Sequence, residues 1–216
     1  MKQIGLLLIL LLLTNIGSAE AFKGANLEAG KRKANQVCAN CHGLTGQASA
    51  GGNAAFSPKL TPQTGEYIEM KLMAYRSGQI QHPQMSLIAQ MISEEDIRDV
   101  SAWYGGIKLK GYRFTEEHGI GVAGPTPDQI SAREKISTLC APCHGMDGIA
   151  EDGGDGPVIP NLIGQQKEYM VLRLKDYQED RMVSPIMTPI AKTLTSQDIE
   201  HVAEWYSSIE IQIEEH

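Results

Sequence analysis

The stretches CANCH, residues 38–42, and CAPCH, residues 140–144, decide how this chain is read. Each sets two cysteines three positions apart and a histidine directly behind the second. They use all four cysteines of the 216-residue chain. Outward from them the agreement continues at one constant offset of 102 residues. Gly43 and Gly46 fall on Gly145 and Gly148. Pro58, Leu60, Gln63, Glu66 and Tyr67 fall on Pro160, Leu162, Gln165, Glu168 and Tyr169. Leu72, Tyr75, Pro83, Met85 and Ala89 fall on Leu174, Tyr177, Pro185, Met187 and Ala191. Asp96, Ile97, Trp103, Tyr104 and Ile107 fall on Asp198, Ile199, Trp205, Tyr206 and Ile209. A gapless repeat of this length means two copies of one small unit in tandem. The units are 22–107 and 128–216, joined by a linker, 108–127. Gly111, Gly119, Gly121, Gly124, Pro125 and Pro127 mark the linker as irregular.

Each copy reads as helical. The stretches 28–40 and 130–142 lead into the two motifs. Residues 65–78 place Tyr67, Met70, Leu72, Met73 and Tyr75 near helical spacing, with 166–180 as the counterpart. At 93–107, Ser93 is a cap, Glu94, Glu95 and Asp96 fill the first turn, and Ile97, Val100, Trp103 and Tyr104 share a face. Residues 195–209 repeat this with Thr195, Asp198, Ile199, Val202, Trp205 and Tyr206. Strand alternation is absent, so the expected class is all-α. Aromatic residues make up only 6% of the chain and Phe occurs three times, thin filling for a core. Units of about 80 residues bury little apolar surface unaided, and a large bound cofactor would supply the rest.

Cys-x-x-Cys-His is the attachment signal of c-type haem. Two thiols three positions apart on a helical turn can each add to one vinyl group of the porphyrin, and the histidine can reach the iron. Cys38, Cys41, Cys140 and Cys143 are the expected covalent anchors, and His42 and His144 the expected axial ligands. A zinc site would need further ligands in each copy. A redox dithiol would expect a βαβ setting, and an exported chain could hold structural disulfides instead. The opposite axial ligand of an electron carrier is Met or His. A ligand should recur at the common offset, and Met85 and Met187 are the methionines that do, each 43 residues after its histidine. His82 is the competing ligand in the first copy, although its counterpart is Ser184. The other methionines read as apolar filler. Pro58 and Pro160 are candidates to offer a backbone carbonyl to the ligand histidine, as second-shell groups, against the plainer reading of turn prolines. The Trp-Tyr pairs read as helix-packing core rather than redox relays. His118, His201 and His216 read as surface residues.

Met1-Lys2, the apolar run Ile4–Leu13 and the small residues Gly17, Ser18, Ala19 and Ala21 match a secretory signal peptide over 1–21, cleaved after Ala19 or Ala21. The run is too short for a membrane span of about 20 residues. The expected location is the periplasm, with at most peripheral membrane association. Net charge is −7, which disfavours a nucleic-acid partner. The charge is uneven: residues 22–107 and 108–127 are each net +1, and 128–216 are net −9. Asp147, Glu151, Asp152 and Asp155 follow the second motif, where the first copy has no acid between Gly43 and Pro58. That is either a solvated surface or a face that steers a basic partner.

These marks resemble the di-haem class I cytochromes c, and the cytochrome c4 family in particular. The resemblance spans essentially the mature chain. It rests on the two CxxCH sites, the segments PKLTPQ and PNLIGQ, the helices EYIEMKL and EYMVLRL, and the endings in which Met85 and Met187 precede ISEEDI and LTSQDI. It implies two cytochrome c folds, each wrapped around a covalent haem, with iron ligated by His42 and Met85 in one and His144 and Met187 in the other. It also implies haem edges brought close together, and electron delivery between respiratory partners, often towards a terminal oxidase. One departure is Pro62, where the second copy has Gly164 ahead of its glutamine. With both irons saturated the leading expectation is a soluble electron carrier and no enzyme. The alternative is the cytochrome subunit of a periplasmic dehydrogenase, such as a flavocytochrome sulfide dehydrogenase or an alcohol dehydrogenase. A di-haem peroxidase would need an iron that opens to substrate.

Overall fold

The computed structural model describes residues 22–48, 56–115, 126–150 and 156–214. The export segment expected at 1–21, most of the linker glycines, His118, His216, and Glu151, Asp152 and Asp155 lie outside the described residues.

The chain is a helical tandem. In the first unit, α1 (Leu27–Lys33) starts at Asn26, whose side chain accepts from the Ala29 N–H. It runs through a π turn (Ala34–Cys38) into the short α2 (Ala39–His42). Then follow α3 (Gly65–Ser77), α4 (Met85–Met91) and α5 (Glu94–Gly106). The second unit repeats the order: α6 (Pro127–Lys135), a π turn (Ile136–Cys140), α7 (Ala141–His144), α8 (Lys167–Gln178), α9 (Met187–Ala191) and α10 (Ser196–Ser207). The expected Ser93 and Thr195 caps form full capping boxes with Asp96 and Asp198, which satisfy the first-turn donors of α5 and α10. Thr126 and Gln129 do the same for α6. Gly78 ends α3 in the left-handed region, and its counterpart beyond α8 is Asp180, also at positive φ.

Two hydrophobic cores result. The first joins Ala34, Ile68, Leu72, Tyr75, Ala89, Ile97, Val100 and Tyr104. The second joins Ile136, Ile163, Met170, Val202, Ala203, Trp205, Tyr206 and Ile209.

The structure corrects the reading of the linker as irregular at residues 109–113. Within it β1 (Leu109–Arg113) pairs antiparallel with β2 (Glu210–Ile213), Tyr112 opposite Ile211 and Arg113 opposite Glu210. No alternation announces these strands because each is short and each pairs only across the whole second unit. The strand pair crosses the halves. Leu109 and Phe114 pack on the second core, and Ile213 packs on the first.

A second seam is reciprocal. The Gln63 side chain accepts from Asn161 N–H at 3.0 Å and donates to Asn161 C=O at 3.2 Å. The Gln165 side chain accepts from Lys59 N–H at 2.8 Å and donates to Lys59 C=O at 2.9 Å. Residues 59 and 161 are themselves 102 apart, so the two halves grip each other about a pseudo-twofold axis. Asn161 Nδ2 adds a bond to the Pro62 carbonyl at 2.6 Å.

Candidate haem sites

The helix that runs from α1 to α2 sets Cys38 at the end of its π turn and Cys41 and His42 in its last turn. Such single wide turns are common at functional positions. Gly43, at φ +74°, ends the helix and bends the chain back, so that the Ala48 N–H reaches the His42 carbonyl at 2.7 Å. Gly145 repeats the turn at φ +75°, where a β-carbon would lie 2.5 Å from the Ile149 carbonyl oxygen. Only glycine suits this backbone.

Both histidines are buried, His42 to 7% exposure and His144 to 6%. His42 Nδ1 bonds the Pro58 carbonyl at 2.8 Å, and His144 Nδ1 bonds the Pro160 carbonyl at 2.8 Å. With Nδ1 donating, Nε2 keeps its lone pair, which is the form a metal-ligating imidazole needs. Burial holds both imidazoles below their usual pKa, against the carbonyl bond that raises it. They are therefore neutral at pH 7.

Burial pushes the Cys38 thiol up to about 11 despite nearby Lys33, and the Cys140 thiol up to about 11. A zinc site or a redox dithiol needs a thiolate, and these surroundings oppose one. All four cysteines are unpaired, Cys41 and Cys143 exposed. Among the described residues no group of three or more His, Cys, Asp or Glu could hold a bare metal ion. The pattern fits a covalent porphyrin: thiols that become thioethers, and a preset imidazole. Arg173 Nε is buried without an acceptor, while the other end of its guanidinium pairs with Asp176 at 2.6 Å.

Met85 and Met187 open the short helices α4 and α9, and both are half-buried. Met85 packs on the first core together with Cys38. The remaining methionines are not uniformly filler. Met170 is buried and Met146 packs on the second core, whereas Met70, Met73 and Met91 are exposed. His82 is half-buried against Tyr75 and turns its Nδ1 to the backbone N–H groups of Gln84 and Met85. The ring proton therefore sits on Nε2, which leaves no lone pair free for a metal in this geometry.

The Trp-Tyr pairs do pack in the cores, and their polar tips do something the sequence did not suggest. Tyr104 Oη donates to Gly43 C=O at 3.0 Å and Trp103 Nε1 to Leu44 C=O at 3.3 Å. Tyr206 and Trp205 repeat this on Gly145 and Met146 at 3.0 and 2.9 Å. The last helix of each unit thus pins the loop behind its own CxxCH. The clamp residues Gln63 and Gln165 also went unread as a contact, although their recurrence at the common offset was visible.

Residues 27–104 match the Cytochrome c family. The cytochrome c-552 of Acidithiobacillus ferridurans is 30% identical over 216 residues, covering 94% of this chain and 86% of that protein. The thiosulfate dehydrogenase electron acceptor of Stutzerimonas stutzeri (strain A1501) is 27% identical over 203 residues, covering 88% of each chain. The crystal structure of reduced recombinant cytochrome c4 from Pseudomonas stutzeri matches with a TM-score of 0.69 at 22% identity, over 87% of this chain and all of that one.

Proposed function

Because this chain belongs to the di-haem cytochromes c of the cytochrome c4 family and carries two covalent c-type haems, we propose that it is a periplasmic electron shuttle between respiratory redox proteins, delivering towards a terminal oxidase. Residues 1–21 direct its export, and 22–107 and 128–216 are its two haem domains, with 108–127 between them. Each haem supplies one reversible electron when bound. Cys38 and Cys41 anchor the first and Cys140 and Cys143 the second. His42 and Met85 would hold one iron, and His144 and Met187 the other.

The observation that carries this reading is the duplicated His–Pro pair. The Pro58 and Pro160 carbonyls accept a hydrogen bond from Nδ1–H and orient each imidazole. The neutral ring needs no proton movement when the metal's charge changes. Methionine as the second ligand would favour a high potential. Two protein ligands for each iron would leave no open position for a substrate, which argues for a carrier rather than an enzyme. The Gln63 and Gln165 clamp holds the halves in one mutual arrangement, as an internal relay needs.

Replacing Met187 with Ala tests the ligand set. Haem stays attached through Cys140, Cys143 and His144, while the second haem loses its methionine–iron charge-transfer absorption and falls in potential. An unchanged spectrum would assign the ligand elsewhere, Met182 first.

A second reading has a specific finding in its favour. The similar Stutzerimonas stutzeri protein is named as an electron acceptor of a thiosulfate dehydrogenase. Here the chain would take electrons from a periplasmic dehydrogenase or be docked to one as its cytochrome subunit. Native purification separates the two: a free cytochrome supports the shuttle, and a stable complex with a catalytic subunit supports the docked form.

A further inference from the structure

The iron-side methionines open helices of only seven and five residues, α4 and α9. Helices this short do not hold themselves, and their first N–H groups lack intrahelical partners. The ordinary cap positions, Gln84 and Ile186, contribute no side-chain bond. The acceptor comes from two residues further back. His82 Nδ1 accepts from Gln84 N–H at 3.3 Å and from Met85 N–H at 3.1 Å. Ser184 Oγ accepts from Ile186 N–H at 3.3 Å and from Met187 N–H at 3.1 Å. The reverse bond is also duplicated. Ser86 Oγ accepts from His82 N–H at 3.0 Å, and Thr188 Oγ1 from Ser184 N–H at 2.9 Å. The backbone closes each box, Ser86 N–H to His82 C=O and Thr188 N–H to Ser184 C=O, both at 3.1 Å.

An imidazole and a hydroxyl differ in size and shape, yet each presents a lone pair at the same point. Two unrelated side chains meeting the same two N–H groups at the same distances mark what the place requires, an acceptor. A methionine has three rotatable bonds and a thioether that fits many positions. Its sulfur can be delivered reproducibly only if the backbone it hangs from is held. We propose that His82 and Ser184 are positioning residues, each locking the backbone of the methionine that ligates its domain's iron. This rests on the reading of Met85 and Met187 as ligands.

The test uses the full-length, haem-loaded protein and reads the methionine–iron charge-transfer absorption and the two reduction potentials. Met85→Ala is the reference and removes half of the absorption. His82→Ala should weaken that same half and lower the potential of the first haem alone. Ser184→Ala should act on the second haem alone. His82→Ser, which installs the acceptor used by the second domain, should restore the absorption and the potential. A merely structural role would not be rescued in this way, and far-ultraviolet circular dichroism should stay level throughout. If Met85→Ala leaves the absorption whole, the ligand reading fails and the proposal with it. If Met85→Ala removes half but His82→Ala and Ser184→Ala leave both signals intact, or His82→Ser does not restore them, positioning alone is overturned.

Discussion

In the first domain α1 crosses α5 at Gly30, so closely that a β-carbon there would sit 2.1 Å from the Asp99 carbonyl oxygen. The same place in the second domain is Ala132, buried and accommodated. Gly105 packs on the backbone of Gly65 in the first domain, with 2.4 Å between its would-be β-carbon and the Gly65 nitrogen. The second domain has Ser207 and Lys167 at those positions, and Lys167 bridges instead to Glu200 and Glu204. Arg76 donates to the carbonyls of Ala89 and Ile92. Gln178 does the same for Ala191 and Leu194 at 3.2 and 2.7 Å. One domain is near neutral and the other net −9. Around the CxxCH turn, by contrast, the bonds that fix the histidine and the helix end recur: both His–Pro bonds are 2.8 Å, both Tyr–Gly bonds 3.0 Å, and the Trp bonds 3.3 and 2.9 Å. Geometry is held where the cofactor chemistry needs it, and the packing behind is free to change so long as the same backbone groups are met.

The largest expected difference between the halves comes from removing one anchor pair. Cys140→Ala with Cys143→Ala should abolish attachment in the second domain and unfold it, since about 80 residues form too small a core without the cofactor. The first domain should keep its haem. Haem content by mass spectrometry, with limited proteolysis, reads the result. A second domain that stays protease-resistant would make the cofactor less structural than argued.

The helix crossing gives the next contrast. Gly30→Ala should cost about 1–3 kcal/mol or more, because backbone must move to admit the methyl group. Ala132→Gly should cost about 1 kcal/mol, mostly helix propensity. Denaturant titrations of the haem-loaded variants compare the two, and equal losses would mean the domains pack alike.

The clamp should behave in the opposite way, with the two halves nearly matched. Gln63→Leu strands the N–H groups of Asn161 and Thr64 and the Asn161 C=O, and Gln165→Leu those of Lys59 and Gln166 and the Lys59 C=O, at up to about 1–3 kcal/mol per unsatisfied group. Lys59→Ala should be nearly silent because only its backbone is used. Asn161→Ala should not be silent, since it also loses the bond to Pro62. Amide hydrogen exchange at residues 59 and 161 and the rate of electron exchange between the haems report the loosening.

The smallest effect lies at the capping boxes. The Thr195 N–H, with the Thr195 hydroxyl and Lys135, holds the Asp198 carboxyl below its usual range. For Asp96, burial pushes upward and is outweighed by the Ser93 N–H, Lys33 and the Ser93 hydroxyl. Both carboxyls are depressed in the folded state. Their contribution is therefore present above the ordinary carboxylate pKa and lost as pH falls through the depressed values. Asp96→Asn and Asp198→Asn should each cost about 1 kcal/mol at neutral pH and flatten the acid limb of the stability profile. A profile that keeps its acid limb in both variants would assign that limb to other carboxylates.

Much of this was legible beforehand, for local reasons. The motif and the two capped final helices each write their meaning within about fifteen residues, the reach of helical periodicity and caps, and the gapless repeat shows when the chain is laid on itself at an offset of 102. Most of the contacts that went unread join residues far apart in the chain. The pairing of β1 with β2, the glutamine clamp and the Trp-Tyr hold on the loop behind each motif leave no local pattern; the His82 cap is local, reaching only two and three residues ahead, but histidine is not an ordinary cap residue. Gln63 and Gln165 did recur at the common offset, and recurrence without an obvious local role is the one signal that could have singled them out.

The sequence by itself determined the all-α tandem, the cofactor and its number, because covalent attachment and axial ligation demand particular residues at short, invariant spacings. The tertiary structure alone decided how the halves are joined. A carboxamide can meet any exposed N–H and C=O, and a short strand any free edge, so which ones they met depended on where folding had already carried residues 98 to 106 positions away.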